Sequence, residues 1–283
     1  TVTAPEGKDV IKIVDGKATV GADATLIAST DCAVFMKNLD NAGAQLALDV
    51  YGTLVGAEGF GTIQGNGNNL PASVINIYDG ATVTNENDLA IYHPQNGTLT
   101  IGAATITGTT AIEMRAGNLV VNEGAIIEGT AEFSATPNGN GSTVLGAAIA
   151  LSQHTTEQPT SVTVNGGTLK GARAFYQDNL ASGTSTSVSA TIAAGTDLDG
   201  AIEVAEEGFV MPEAADGSYT LATADFVVAG MPYDTFADAY DAAAEGATIE
   251  VYTDFAASQI ITIAKGITID GNDHTLTSTA PRA

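Results

Sequence analysis

The sequence predicts an all-β solenoid, a parallel β-helix, and three observations support this prediction. A sequence motif recurs that consists of a short strand, a glycine turn, a second short strand and then an Ala followed by an apolar residue, which begins the third strand. This Ala-apolar pair begins at Ala90, Ala111, Ala148, Ala174 and Ala201, so its spacings are 21, 37, 26 and 27 residues. Apolar residues make up 44% of the chain without any long apolar run. A repeat of twenty-odd residues with three short strands has the size of one solenoid coil.

Alternation within each strand divides its side chains between the interior and the outside. We expect Leu99 and Ile101 in one coil, and Val162 and Val164 in another, to point inward and stack on their equivalents. Glycine and asparagine at the corners permit the left-handed backbone of tight bends. An antiparallel sandwich or barrel is the alternative fold, but such folds do not normally repeat themselves at this length.

The 37-residue spacing predicts one coil that carries an insertion at 130–147. Its middle, residues 136–143, reads Thr-Pro-Asn-Gly-Asn-Gly-Ser-Thr, and these residue types favour turns.

Three parts are expected along the chain. Residues 1–208 form the β-helix, with the best register at 73–205. Residues 209–232 form a connection with a hairpin through 219–221 and 226–228. Residues 233–283 form a cap helix and the first coils of a second β-helix.

The helix is expected from Thr235 to Glu245. Thr235 and Asp238 have the spacing of a capping box, and Gly246 follows as a C-terminal stop. Four apolar residues fall on one helical face: Phe236, Ala239, Tyr240 and Ala243.

Residues 236–251 resemble the N-terminal cap and first strand of pectin-lyase-like right-handed β-helices, and Gly266 to Thr275 resembles the coil that follows. Residues 73–205 resemble the coils of repetitive surface proteins of gut bacteria with the same fold. The resemblance implies a right-handed β-helix over nearly the whole chain. It implies little about function, since lyases, hydrolases, adhesins and phage fibres share this fold.

A cap helix normally opens a β-helix, yet here it lies near the end of the sequence. Two explanations remain open. Either the chain is a piece of a longer array, or another molecule covers the open end, for instance by head-to-tail stacking into a filament.

Composition limits the partners. The formal net charge is −24 with nine Lys and Arg, which argues against nucleic acid or an anionic bilayer as a partner. No run of about 18 apolar residues occurs, so we expect no transmembrane helix and no membrane insertion. Cys32 is the single cysteine, so we expect a buried structural thiol and no disulfide framework. No cofactor is expected. Calcium is the alternative, but the pairs Asp197/Asp199 and Asp270/Asp273 are too sparse to define a site.

The sequence predicts no catalytic residues. The resemblance implies that lyases of this fold use calcium-binding carboxylates and a basic residue, and that its hydrolases use clustered aspartates. The basic residues of this chain are six lysines and three arginines, Arg115, Arg173 and Arg282. The aspartate motifs of polygalacturonases are absent. The turn before His274 is expected to be structural.

The one candidate binding site is a glycan-binding ridge on one side of successive coils, where aromatic and hydrogen-bonding residues mix. Its residues are Tyr92, His93, Gln95, Glu113, Arg115, Gln153, His154, Tyr176, Gln177 and Asp178.

We therefore expect a non-enzymatic, secreted or cell-surface structural protein, such as a stalk, adhesin or fibre subunit. Its partners would be copies of itself, or a glycan or host-surface ligand. One alternative is a carbohydrate-active enzyme of the pectin-lyase-like superfamily. Another is a phage fibre or capsid-decorating protein, located on the virion.

Overall fold

A computed structural model describes residues 1–38, 40–66, 71–181, 183–258 and 260–279. It is a parallel β-helix in which 47% of residues lie in strands, and the described residues contain one short helix. The predicted fold class is confirmed.

The β-helix is built from coils of three short strands, one on each of three faces. In chain order the strands are β1 (Val2–Thr3), β2 (Ile11–Ile13) and β3 (Gly16–Val20) in the first coil; β4 (Thr25–Ile27), β5 (Val34–Met36) and β6 (Leu46–Val50) in the second; β7 (Thr53–Val55), β8 (Ile63–Gln64) and β9 (Ser73–Ile77) in the third; β10 (Thr82–Thr84), β11 (Ile91–His93) and β12 (Gly97–Ile101) in the fourth; β13 (Thr105–Gly108), β14 (Ile112–Met114) and β15 (Gly117–Val121) in the fifth; β16 (Ile126–Gly129), β17 (Ser134–Pro137), β18 (Ser142–Leu145), β19 (Ala147–Ser152) and β20 (Thr160–Val164) in the sixth; β21 (Thr168–Asp178) and β22 (Val188–Ile192) in the seventh; and β23 (Asp197–Val204) and β24 (Phe209–Val210) in the last.

Each face is a parallel sheet running along the column of coils. The first face contains β1, β4, β7, β10, β13 and β16, and the second contains β2, β5, β8, β11, β14 and β19. Strands β21 and β23 run from the first face into the second. The third face contains β3, β6, β9, β12, β15, β20 and β22.

The register on the second face agrees with the repeat seen in the sequence. Ile91 pairs with Ile112, Ile112 with Ile149, Ile149 with Phe175, and Phe175 with Ile202. The residue after each recurring Ala therefore occupies the same position in successive coils, as predicted.

The interior of the coils is one continuous apolar core. Leu99 and Ile101 are 0% exposed, and Val162 and Val164 are 1% exposed, so their predicted inward orientation is confirmed. Cys32 is also buried, as predicted. One coil cannot bury its apolar face alone, and stacking supplies that burial from both sides.

The predicted insertion is an antiparallel hairpin formed by β17 and β18, which we call the insertion hairpin (residues 130–146). The ladder continues beneath it, because β14 pairs with β19 across the gap in sequence. Phe133 and Ala135 pack with a small apolar cluster of Val144, Ala147 and Tyr176, so the insertion lies on the outer side of the second face.

The remaining elements follow the last coil. They are β25 (Tyr219–Thr220), β26 (Ala222–Thr223), β27 (Phe226–Val228), β28 (Met231–Tyr233), α1 (Phe236–Ala242), β29 (Thr248–Val251), β30 (Phe255–Ala257), β31 (Thr268–Asp270) and β32 (Leu276–Ser278). The predicted pairing of 219–221 with 226–228 is wrong. β25 pairs with β22, and β27 pairs with β28 and β29. β25 therefore extends the third face, whereas β27 belongs to a separate sheet with the strands that follow it.

Helix α1 begins after Thr235, whose Oγ1 accepts a hydrogen bond from Asp238 N at 3.1 Å, as expected of an N-cap. It ends at Ala242 and not at the predicted Glu245, because Ala243 is already extended. Its apolar face packs with Phe226, Ile249 and Val251 in a second core.

After the helix, β29 pairs with β31 and β30 pairs with β32, both in parallel. Positions some twenty residues apart therefore stack again. The His274 segment is a turn closed by His274 N and Gly271 O at 2.7 Å.

Candidate functional site

The residues of the predicted ridge lie where the second face ends and the chain turns toward the third face. All of them except Tyr92 are buried, and Gln153, Gln177 and Asp178 are 0% exposed. The expected exposure of the ridge is therefore wrong. A role in binding glycans stays a prediction.

One reason for the difference is strand alternation. Tyr92 and Glu113 are register partners, and so are the neighbouring His93 and Met114. Because Met114 belongs to the interior core, His93 shares the inward column while Tyr92 points outward. Gln177 likewise pairs with the core residue Leu151. The ridge residues thus belong to two sides of the strand.

The other reason is the insertion hairpin, which covers the outward residues. Ala150 lies in register between Glu113 and Tyr176, and its small side chain leaves room for the hairpin to approach. Phe133 of the hairpin contacts the Tyr176 ring edge-on, with centroids 5.0 Å apart. Burial and nearby Asp178 raise the pKa of the Tyr176 hydroxyl.

Glu113 and Arg115 form a buried ion pair at the centre of this region. Arg115 Nη2 lies 2.5 Å from Glu113 Oε1, and both side chains are almost fully buried. The pair lacks hydrogen-bond geometry, and Glu113 Oε1, Arg115 Nε and Arg115 Nη1 have no hydrogen-bond partner. The Arg115 guanidinium lies over the Tyr92 ring, 5.3 Å from its centroid.

Burial dominates the electrostatics of Glu113. It raises the pKa of this carboxyl to about 7, with Arg115 opposing the shift and Asp178 adding to it. Burial also raises the pKa of Tyr92 to about 12. A carboxyl that is half protonated near neutral pH is a candidate functional group.

Ser142 connects the insertion hairpin to three coils. Its main-chain oxygen accepts a hydrogen bond from Arg115 Nη2. Its Oγ donates to Asp178 Oδ1 at 2.8 Å, and its N–H donates to Ser152 Oγ at 3.0 Å. Arg115, Ser152 and Asp178 thus fasten the hairpin. We call this set, with Ser142, the hairpin clamp.

The inward polar residues hold corners together. His93 Nδ1 lies 2.9 Å from Ala116 O, a carbonyl that only accepts, so Nδ1 carries the proton and Nε2 accepts from Ser73 Oγ at 3.1 Å. Burial lowers the pKa of His93, which favours this neutral ring. Gln95 binds Asn66 N and Pro71 O.

Gln153 and His154 organise the loops after β19. Gln153 binds Gln158 O and both main-chain groups of Thr186. His154 Nδ1 accepts a hydrogen bond from Thr156 N at 3.1 Å, so this ring is also neutral, in keeping with a pKa lowered by burial and by Arg115.

Glu206 closes the region at the last coil. It accepts hydrogen bonds from Gln177 Nε2 and from the N–H and Oγ of Ser185. Glu206, Ser142 and Ser152 are neighbours of the ridge residues that the sequence pattern did not predict. Phe133 and Val144, apolar residues on both sides of the turn-rich stretch, were the available signal that the insertion packs against the coils.

A cleft of about 280 Å³ lies beside the hairpin. Residues 59–61 and Asp88 form one wall, Asn138 and Thr143 form the other, and Tyr92 lies between them with the Glu113–Arg115 pair. A second cavity, of about 340 Å³, lies between α1 and residues 255–258 and 260–262.

Metal ligands do not come together in the part of the chain that the structure describes, where no three His, Cys, Asp or Glu side chains form a metal-binding group. Asp197 and Asp199 lie on β23. The expectation of no cofactor, with calcium as its alternative, stays a prediction.

No model of a known protein family, no curated protein and no solved structure matches this chain. None of the described residues lies in a helix long and apolar enough to cross a membrane.

Proposed function

We propose that this chain is a non-enzymatic structural part of an extracellular or cell-surface protein, a stalk, adhesin or fibre subunit of the pectin-lyase-like superfamily. The observation that carries this proposal is the hairpin clamp. Arg115, Ser152 and Asp178 all bind Ser142, so the polar groups of the second face hold an inserted hairpin against the coils.

The insertion hairpin would be the displayed part. Its turn, Asn138 to Asn140, is exposed, whereas Ser142 and Val144 are buried against the coils. A rigid column with a fixed protruding turn suits adhesion or spacing, because little conformational freedom is lost on contact.

The proposed location and display can be tested together. An antibody raised against residues 134–145 should label intact cells that produce the protein, and Asn138→Ala/Asn140→Ala should weaken the labelling. Labelling only after lysis would contradict the proposal. Labelling of virions alone would favour the phage alternative.

A second candidate function, a carbohydrate-active enzyme, is favoured by Glu113. A protonated buried carboxyl beside a cleft can serve as a general acid, and Asp88 supplies a second carboxyl at the cleft. Asp88, however, already accepts hydrogen bonds from Gly59 N and Leu89 N. Release of reducing sugar or unsaturated uronate from a polysaccharide panel, abolished by Glu113→Gln, would establish the enzyme and overturn the structural proposal.

Self-association through the sheet ends is part of the proposal. Among the described strands, β1 and β3 in the first coil and β31 after the helix have a neighbour on one side only. Ile260 and Ile263, between β30 and β31 in sequence, are 62% and 47% exposed. Exposed edges and apolar side chains favour association. Sedimentation should show concentration-dependent oligomers that Ile260→Asp/Ile263→Asp removes. Monomers at every concentration would remove this part of the proposal.

A further inference from the structure

The cleft beside the insertion hairpin has walls that are fixed before any ligand enters. Gly59 N donates to Asp88 Oδ2 and Gly61 N donates to Gln64 Oε1, both at 3.0 Å. On the hairpin side, Asn138 Nδ2 donates to Thr143 Oγ1 at 3.0 Å. A ligand would therefore lose little binding free energy to ordering the site.

The charges at the cleft disfavour an anion. Arg115 is the one cation among the described residues that line it, and Arg115 is already paired with Glu113. Asp88 adds a carboxylate to the same cleft. An acidic sugar would meet this negative charge without a free cation, whereas a neutral ligand would not.

The remaining groups combine apolar faces with hydrogen-bonding groups. Phe60 is 40% exposed at the rim, and Tyr92 lines the interior. Thr143 Oγ1 accepts from Asn138 and retains its own proton for donation. Aromatic rings pack against the C–H faces of a sugar while hydroxyl and amide groups bind its hydroxyls.

We propose that this cleft binds one neutral saccharide unit, held by Phe60 and Tyr92 through its apolar face and by Thr143 and Gln64 through its hydroxyls. The cleft volume, about 280 Å³, lies at the small end of ligand pockets, which span ~300–1,000 Å³, so it suits a single sugar ring. This inference deepens the adhesive role and rests on the proposed function.

The test is ligand-observed NMR and calorimetry with methyl glycosides of glucose, galactose, mannose and N-acetylglucosamine. The methyl glycoside of galacturonic acid, with its carboxylate free, is the anionic comparison ligand, and choline is the cationic one. At least one neutral glycoside should bind, and the galacturonic acid glycoside should not. Phe60→Ala should weaken binding about tenfold, the loss expected for one aromatic contact. Thr143→Val should weaken it as well.

Tyr51→Ala is the matched control, because Tyr51 is 39% exposed, directly follows β6 and does not line this cleft. Thermal unfolding of each variant checks that the fold is kept. No neutral binding, preference for galacturonate or choline, or binding unchanged by Phe60→Ala would overturn the inference. Such a result leaves the surface labelling result untouched, so the two failures are distinguishable.

Discussion

Arg115 Nη2 donates a hydrogen bond to the main-chain oxygen of Ser142, and the same nitrogen lies 2.5 Å from Glu113 Oε1. The insertion hairpin is therefore fastened by a cation that a buried carboxyl holds in place. Removing Arg115 leaves a buried carboxyl without its cation and also unfastens the hairpin, whereas removing Glu113 leaves a buried guanidinium unpaired.

Arg115→Met should lower the free energy of unfolding by about 3 kcal/mol, because it leaves Glu113 buried without its cation. The double variant Glu113→Gln/Arg115→Met should lose less. Lys170→Met is the control, since Lys170 pairs with Glu128 while both side chains stay accessible to solvent, at 49% and 32% exposure, and it should lower the free energy of unfolding far less. Urea unfolding measures all three variants. Equal losses for Arg115→Met and Lys170→Met would count against a buried, energetically important pair.

The free energy of unfolding should decrease as the pH rises from about 4.5 to 7, because of Glu113. Its pKa rises from 4.5 to about 7 on folding, so the folded state holds this proton more tightly than the unfolded chain does. The resulting stabilisation is fully present below the unfolded pKa and is lost as the pH passes the folded pKa. Relative to the Glu113→Gln variant, the free energy of unfolding of the native protein should fall by up to about 3 kcal/mol across this pH range. Parallel pH profiles for the two proteins would refute the assignment.

Gly141→Ala should disturb the hairpin clamp. Gly141 has a φ of 155°, and a Cβ there would lie 1.9 Å from Arg115 Nη1. Gly139→Ala is a matched control, because Gly139 also has a positive φ but nothing within 4 Å of the added Cβ. Backbone strain alone should lower the free energy of unfolding of each variant by about 1 kcal/mol. Gly141→Ala should lose a further amount through its clash with Arg115, and its hairpin should become accessible to protease. Similar melting temperatures for the two would show that Arg115 does not need this glycine.

Ala150→Leu should lift the insertion hairpin from the second face. Ala150 is 0% exposed and packs with Val144 and Tyr176, so a larger side chain meets the hairpin directly. Limited proteolysis should cut between residues 133 and 146 faster than in the native protein. Ala47→Leu, on the outer side of the third face, should leave the cleavage rate unchanged. An unchanged rate in Ala150→Leu would mean that the hairpin does not depend on this contact.

The fold was predictable because the repeat itself records the register. The recurring Ala-apolar pair predicted which residues stack in register on the second face, from Ile91 to Ile202. Alternation along the strand predicted that Val162 points inward. Helix α1 was also predictable, except that its end depends on how the chain turns toward β29. The pairing of β25 with β22 was not predictable, because β22 lies well before it in the sequence and its sheet edge is formed by the coils. β27 pairs instead with the strand that directly follows it, β28, and with β29.

The site was predicted less well, for two different reasons. Tyr92 and His93 are adjacent, so alternation alone places them on opposite sides of the strand, and this was available from the sequence. The burial of Glu113 and Asp178 was not available, since it depends on where the insertion hairpin folds back. Ser142 gave no sign of its three partners, because a serine in a turn-rich segment is usually solvated.

The ends of the insertion hairpin meet at Gly129 and Ala147. A Cβ added to Gly129 would lie 2.3 Å from Ala147 O, so the chain leaves the coil and returns to it at nearly the same point. A segment anchored this way can change length at a cost that grows only with the logarithm of its length. The strands of the coils above and below would stay in register, because their pairing does not involve the inserted segment. This junction is therefore a place where a peptide or small domain can be exchanged while the supporting column stays as it is.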